Sequence, residues 1–180
     1  FFFKQKTAYE IKECDWSSDV CSSDLRSMLA VWREWQLDVY LRKAYEKGIV
    51  LGGASAGSIC WFEQGVTDSV AVALTAMPCL GILPGSNCPH YNSEPLRRPT
   101  YRKLVASGKI MDGMAADDGA ALHFVGGKLK QAVSSMPRAK AWRVTRKGLG
   151  FVEKAMPTRD RKSTRLNSSH IPLSRMPSSA

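Results

Sequence analysis

Apolar and polar residues follow two rhythms along this chain. From Arg26 to Trp35, apolar Met28, Leu29, Val31 and Trp32 recur near helical spacing; from Asp38 to Lys47, Val39, Leu41, Ala44 and Tyr45 do the same. Gln36-Leu37 separates these predicted helices and Gly48 stops the second, as glycine does just past a helix end. Ile49 to Leu51 reads as a short buried strand, followed by a helix from about Ala56 to Phe62. Gln64 to Met77 reads as a loop enclosing a Val/Ala/Leu segment, and Leu80 to Leu83 as a short strand bounded by Pro84-Gly85. Pro95 to Ser107 carries Tyr101, Leu104 and Val105 at helical spacing and ends at Gly108; Ala115 to Gly119 reads as a loop. Thereafter the period drops to two. Ala120–Val125, Leu129–Ser134 and Lys140–Thr145 are predicted strands around the turns Gly126-Gly127 and Pro137-Arg138, with Phe151-Val152 as a last short one. Helix, strand, turn, helix early and antiparallel alternation late together predict an α/β fold with a mixed sheet.

The segment from Gly48 to Glu63 holds the strongest chemical signal. Gly53-Ala54-Ser55-Ala56-Gly57 sits between the predicted strand and the predicted helix. G-x-S-x-G at such a junction is the spacing of a nucleophile elbow, where small neighbours allow a strained turn to lift the serine hydroxyl clear of the backbone. The Ala56 amide would then lie at a helix N-terminus, able to face a developing oxyanion.

A serine nucleophile needs a base within hydrogen-bond reach and an acid to orient that base. Between Arg26 and Arg159 the candidate bases are His90 and His123. His123 falls inside the predicted strand Ala121–Val125, where side chains mostly fill a face. His90 lies in the polar loop Asn87–Asn92, beside Pro89 and after a strand, where catalytic groups concentrate, and is the preferred base. Candidate acids are Asp68, Glu94, Asp117 and Asp118. Adjacent Asp117-Asp118 also fits a turn or a solvated pair. Spacing alone does not choose among them.

Composition narrows the class. With 180 residues and 44% hydrophobic content, the chain suffices for one domain with a core, and no apolar run approaches the roughly 20 residues of a membrane helix. No membrane association is therefore expected. The net charge of +10 raises nucleic acid as a partner, but the basic residues are scattered and the tryptophans do not interleave with them, so none is expected. Five cysteines without C-x-x-C or Cys/His ligand spacing speak against a metal site or disulfide scaffold and for a reducing, cytoplasmic location.

The two ends differ from the middle. Residues 1–25 and 160–180 are rich in Ser, Lys and Asp without a sustained period. Asp15–Leu25 and Asp160–His170 resemble conceptual translations of the two strands of one short-read sequencing adapter, and Phe1–Glu10 and Ser174–Ala180 resemble its outer parts. Both segments are read as non-native, leaving residues 26–159 as the natural domain, itself expected to be truncated at its start.

Gly53-Ala-Ser-Ala-Gly-Ser-Ile-Cys-Trp-Phe-Glu63, Cys88-Pro-His-Tyr91, Ala116-Asp-Asp-Gly-Ala-Ala-Leu122 and Met156-Pro-Thr-Arg159 together resemble the peptidase E family, which includes aspartyl dipeptidase, and more distantly cyanophycinase. The resemblance implies a class I glutamine amidotransferase-like, flavodoxin-like three-layer α/β/α sandwich. It implies a serine peptidase acting on small peptides through an acyl-enzyme, with no metal or other cofactor. Ser55 maps to the nucleophile and His90 to the base. The acid maps to Asp118 first, one carbon shorter than the glutamate common there, and to Asp68 second. The resemblance also implies a Gly-Gly-Asn segment carrying half of the oxyanion hole, which has no counterpart upstream of Arg26 in this sequence, and the first strands of the sheet are expected to be missing as well. Losing one oxyanion donor costs roughly 3–4 kcal/mol of transition-state stabilisation, so the fragment itself is expected to be inactive and poorly soluble. Two rival readings are a non-catalytic ligand-binding or scaffold protein retaining the elbow, and an α/β-hydrolase, whose Ser–acid–His order Asp68 would satisfy.

Overall fold

The computed structural model describes residues 24–70 and 73–160; the segments 1–25 and 160–180 read as adapter lie outside it, apart from Asp24, Leu25 and Asp160. Helix α1 (Leu25–Glu34) starts where the Asp24 carboxylate accepts the Ser27 amide at 2.9 Å, satisfying one of the free donors of its first turn. Its Leu25 and Leu29, four apart on one face, are buried. Helix α2 (Leu37–Glu46) follows, with none of its residues fully buried. Next come α3 (Ala56–Ile59), β1 (Phe62–Thr67), β2 (Thr75–Pro78), β3 (Leu83–Cys88), α4 (Arg97–Ala106) and β4 (Gly113–Ala116). The chain continues through β5 (Ala120–Val125), β6 (Lys128–Ser134), β7 (Ala141–Lys147), β8 (Gly150–Met156) and β9 (Thr158–Asp160).

Six strands form a mixed sheet in the order β2-β1-β3-β4-β7-β8. Strands β1, β3 and β4 run parallel, while β2, β7 and β8 pair antiparallel with their neighbours. The alternation of β1 places a layer on each face. Gly65 faces Ile59 of α3, so closely that a Cβ there would stand 1.9 Å from the Ile59 Cγ2. Its neighbour Val66 points the other way, into a core shared with Tyr101 and Val105 of α4. Strand β3 repeats this: Ser86 meets the Tyr101 hydroxyl of α4 at 2.7 Å, and Asn87 meets Ser58 of α3. Helices therefore cover both faces, giving the α/β sandwich. On the α3 face, Leu25, Leu29, Ala56, Ile59, Cys60 and Met77 form a second core.

Several predicted boundaries are corrected. Ile49–Leu51 is not a strand: Ile49 is 51% and Val50 86% exposed, and no described strand pairs with them. The helix that follows Ser55 ends at Ile59 instead of Phe62 because Phe62–Thr67, read as helix end and loop, joins the sheet as β1. Strand β3 begins at Leu83 and runs through Pro84-Gly85, which the sequence suggests as a boundary. The register shifts there, with Phe62 opposite Leu83 but Gln64 opposite Ser86. The extra residue is absorbed as a bulge, and Gly85 takes the positive φ of 80° that this geometry demands. The start of the predicted loop Ala115–Gly119 belongs to β4. Strands β5 and β6 pair as predicted but form, with β9, a separate three-stranded sheet.

Candidate active site

Parallel pairing of β3 with β4 sets the Cys88 end of one beside the Ala115 end of the other. The loops that leave those two ends carry His90 and Asp118. Neighbouring parallel strands thus deliver two side chains, distant in sequence, to the carboxyl edge of the sheet, where open α/β folds place their sites. The third group comes from α3. Ser55 precedes its first turn with φ 53° and ψ −122°, a conformation costly for any residue with a Cβ.

What holds this turn is local. Gly53 packs so tightly that a Cβ would lie 2.2 Å from the Gly57 carbonyl oxygen. The Ser55 carbonyl accepts the Ser58 amide at 2.9 Å, the Ile59 amide at 3.1 Å and the Ser58 hydroxyl at 2.7 Å. Ser58 also lies 3.3 Å from the Asn87 Oδ1, and Asn87 donates to the Met114 carbonyl at 3.4 Å. The elbow is thereby tied to β3 and β4. Among the described residues the Ala56 amide donates to no carbonyl or side chain, and it opens α3 beside the Ser55 hydroxyl.

The three side chains form a continuous series. Ser55 Oγ lies 3.0 Å from His90 Nε2, and His90 Nδ1 lies 2.7 Å from Asp118 Oδ1. The Ser93 hydroxyl and then the His90 ring hold the Asp118 carboxyl below its ordinary value, against a burial effect that would raise it. An ionised carboxylate can only accept, so Nδ1 carries the imidazole proton and Nε2 presents its lone pair to the serine. The Asp118 amide donates to Asn92 Oδ1 at 2.8 Å, closing the His90 loop onto the Asp118 loop. The side chains of His90 and Asp118 are 29% and 44% exposed, so the series sits at the surface of a packed body.

Residues 24–132 match peptidase family S51. The chain belongs to peptidase family S51. Over 125 residues it is 53% identical to a protein of Bacillus subtilis (strain 168) described as uncharacterized peptidase YgaJ, a stretch covering 69% of this chain and 54% of that protein. The chain thus spans about half the length of the curated relative it matches. No solved structure matches it.

The remaining candidates of this S51 chain lie apart from the series. Asp68 is exposed on the bend after β1 and makes no hydrogen bond to His90, whose Nδ1 faces Asp118. The geometry brings Asp118, and not the alternative Asp68, to His90. Asp117 is buried, its carboxylate accepting the Lys140 amide at 2.9 Å and the Trp142 indole N–H at 3.0 Å. Glu94 pairs with Arg97, and His123 is exposed on β5 beside Gln131. Among the described residues no three His, Cys, Asp or Glu side chains group as metal ligands. Ser58, Asn87, Asn92 and Ser93 support the site without having been singled out in the sequence. Ser58, three residues after Ser55, had a readable signal, since serines often bond to the carbonyl three residues back. Asn87 had none, because its contact depends on the pairing of distant strands.

Proposed function

We propose that residues 26–159 carry the nucleophile, base and acid of a serine peptidase that cleaves short peptides, acidic dipeptides foremost, through an acyl-enzyme. Because the chain spans about half of its relative, the activity is proposed for the longer protein that contains this segment. The observation that carries the reading is the unbroken series from Ser55 Oγ through both ring nitrogens of His90 to Asp118.

In the proposed mechanism, Ser55 Oγ attacks the scissile carbonyl carbon as its proton passes to His90 Nε2. Asp118 stabilises the imidazolium that forms and keeps the ring in the required tautomer. The Ala56 amide, without a partner in the described fold, donates to the oxyanion. Collapse of the tetrahedral intermediate breaks the C–N bond, the amine leaving with the proton from His90. Water then repeats the sequence on the acyl-enzyme, with His90 again as base.

Among the described residues no helix is long and apolar enough to cross a membrane. The thiols Cys60, Cys79 and Cys88 are free, and burial pushes each up to about 12, which fits unreactive core thiols with no part in the chemistry. The test is hydrolysis of an acidic dipeptide panel by the full-length protein carrying this segment. Turnover lost in Ser55→Ala supports the reading; turnover surviving that change rejects it.

A further inference from the structure

His90 itself has φ 55°, a left-handed backbone that a side-chain-bearing residue keeps only when its surroundings impose it. Much of that constraint reaches it through the next residue. Tyr91 is 1% exposed. Its amide donates to the Ala116 carbonyl at 3.1 Å, two residues before Asp118. Its ring stands edge-on to Tyr101 of α4, with centroids 6.1 Å apart, and the Arg98 guanidinium lies 5.2 Å from its centre. Its hydroxyl donates to the Glu153 Oε1 of β8 at 2.5 Å.

Glu153 is a fixed anchor. Its side chain is 8% exposed and also accepts from Arg98 at 2.6 Å and from Arg102, both on α4. A buried carboxylate with three donors is hard to move, because leaving any of them strands a charge or a polar group out of water. The contacts therefore run from β8 and α4 through the Tyr91 hydroxyl into the backbone of His90.

We propose that Glu153, acting through the Tyr91 hydroxyl, is a positioning residue that keeps the His90 ring within reach of both Ser55 and Asp118. The inference rests on the reading of Ser55 as nucleophile. Neither Tyr91 nor Glu153 bonds to the side chains of Ser55, His90 or Asp118, so their effect is on geometry. A displacement of about 1 Å at a reacting group costs up to roughly 100-fold in rate.

The test compares full-length wild type with Tyr91→Phe, Glu153→Gln and Ser55→Ala, measured well below each melting temperature. Tyr91→Phe keeps the ring and removes only the tie, which makes it informative even where Glu153→Gln fails to fold. The expected result is a kcat lowered about 10- to 100-fold in Tyr91→Phe with KM within about twofold. The low-field NMR resonance of the His90 Nδ1 proton should broaden or move with it, which a loss of stability alone would not cause. Unchanged kcat and an unchanged resonance in folded Tyr91→Phe, with Ser55→Ala inactive, overturn the positioning role and leave the nucleophile in place. Turnover persisting in Ser55→Ala overturns both.

Discussion

Asp117 and Asp118 are adjacent in the chain, yet their carboxylates hold different parts of the molecule. Asp117 accepts from the Lys140 amide and the Trp142 indole, fastening the β4–β5 loop to β7. Asp118 accepts from the His90 ring. Asp118→Asn is therefore expected to lower kcat by roughly 10³- to 10⁴-fold with little change in melting temperature, since the amide favours the wrong imidazole tautomer. Asp117→Asn should do the reverse, costing about 2 kcal/mol of stability while kcat stays near wild type. Steady-state kinetics and denaturant titration of the two variants separate the roles.

The two glycines of the elbow are not equivalent. A Cβ on Gly53 would collide with the Gly57 carbonyl, whereas a Cβ on Gly57 would meet nothing within 4 Å. Gly53→Ala should displace the turn, lower stability by about 2 kcal/mol and abolish reaction of Ser55 with a fluorophosphonate. Gly57→Ala should fold as well as wild type or better by a few tenths of a kcal/mol, because alanine favours the helix. Equal melting temperatures for the two variants would contradict this steric account.

Acid should loosen the Glu153 cluster within a defined window. Burial alone would raise the Glu153 carboxyl, but hydrogen bonds from Arg102, Arg98 and Tyr91 bring it down to about 2 from an ordinary 4.5. Its folded value lies below its unfolded one, so its stabilisation is complete above about 4.5 and is lost as pH falls towards 2. Asp118 is shifted in the same direction. Denaturant titrations at a series of pH values should show wild type losing stability through that window and Glu153→Gln losing less. Parallel profiles for the two would count against the cluster.

Much of the site is readable from sequence because its chemistry is local. The elbow is defined within Gly53–Gly57 by small residues and by the turn they permit, and the Pro-flanked loop of His90 is contiguous. Which carboxylate meets His90 is not readable from spacing. Asp118 rather than Asp68 meets His90 because β3 and β4 lie side by side in parallel, a pairing between segments far apart in sequence. The same limit explains β1: Phe62-Glu-Gln-Gly-Val-Thr67 has weak alternation, and its state follows from its pairing with β2 and β3. Ile49–Leu51 failed in the opposite sense. Its apolar run suits a buried strand, but strand structure needs a partner, and no described strand supplies one. The Tyr91–Glu153 tie joins residues 62 apart and left no sequence signal beyond a tyrosine beside the histidine.

Covalent labelling of Ser55 tests the central claim most directly. The full-length protein carrying residues 26–159 would be treated with a fluorophosphonate and the adduct located by peptide mass spectrometry, alongside Ser55→Ala and His90→Ala. The account predicts one adduct, on Ser55, absent from Ser55→Ala and formed at least about 100-fold more slowly in His90→Ala. Folded wild type that stays unlabelled, or labelling that persists undiminished in Ser55→Ala, would contradict it.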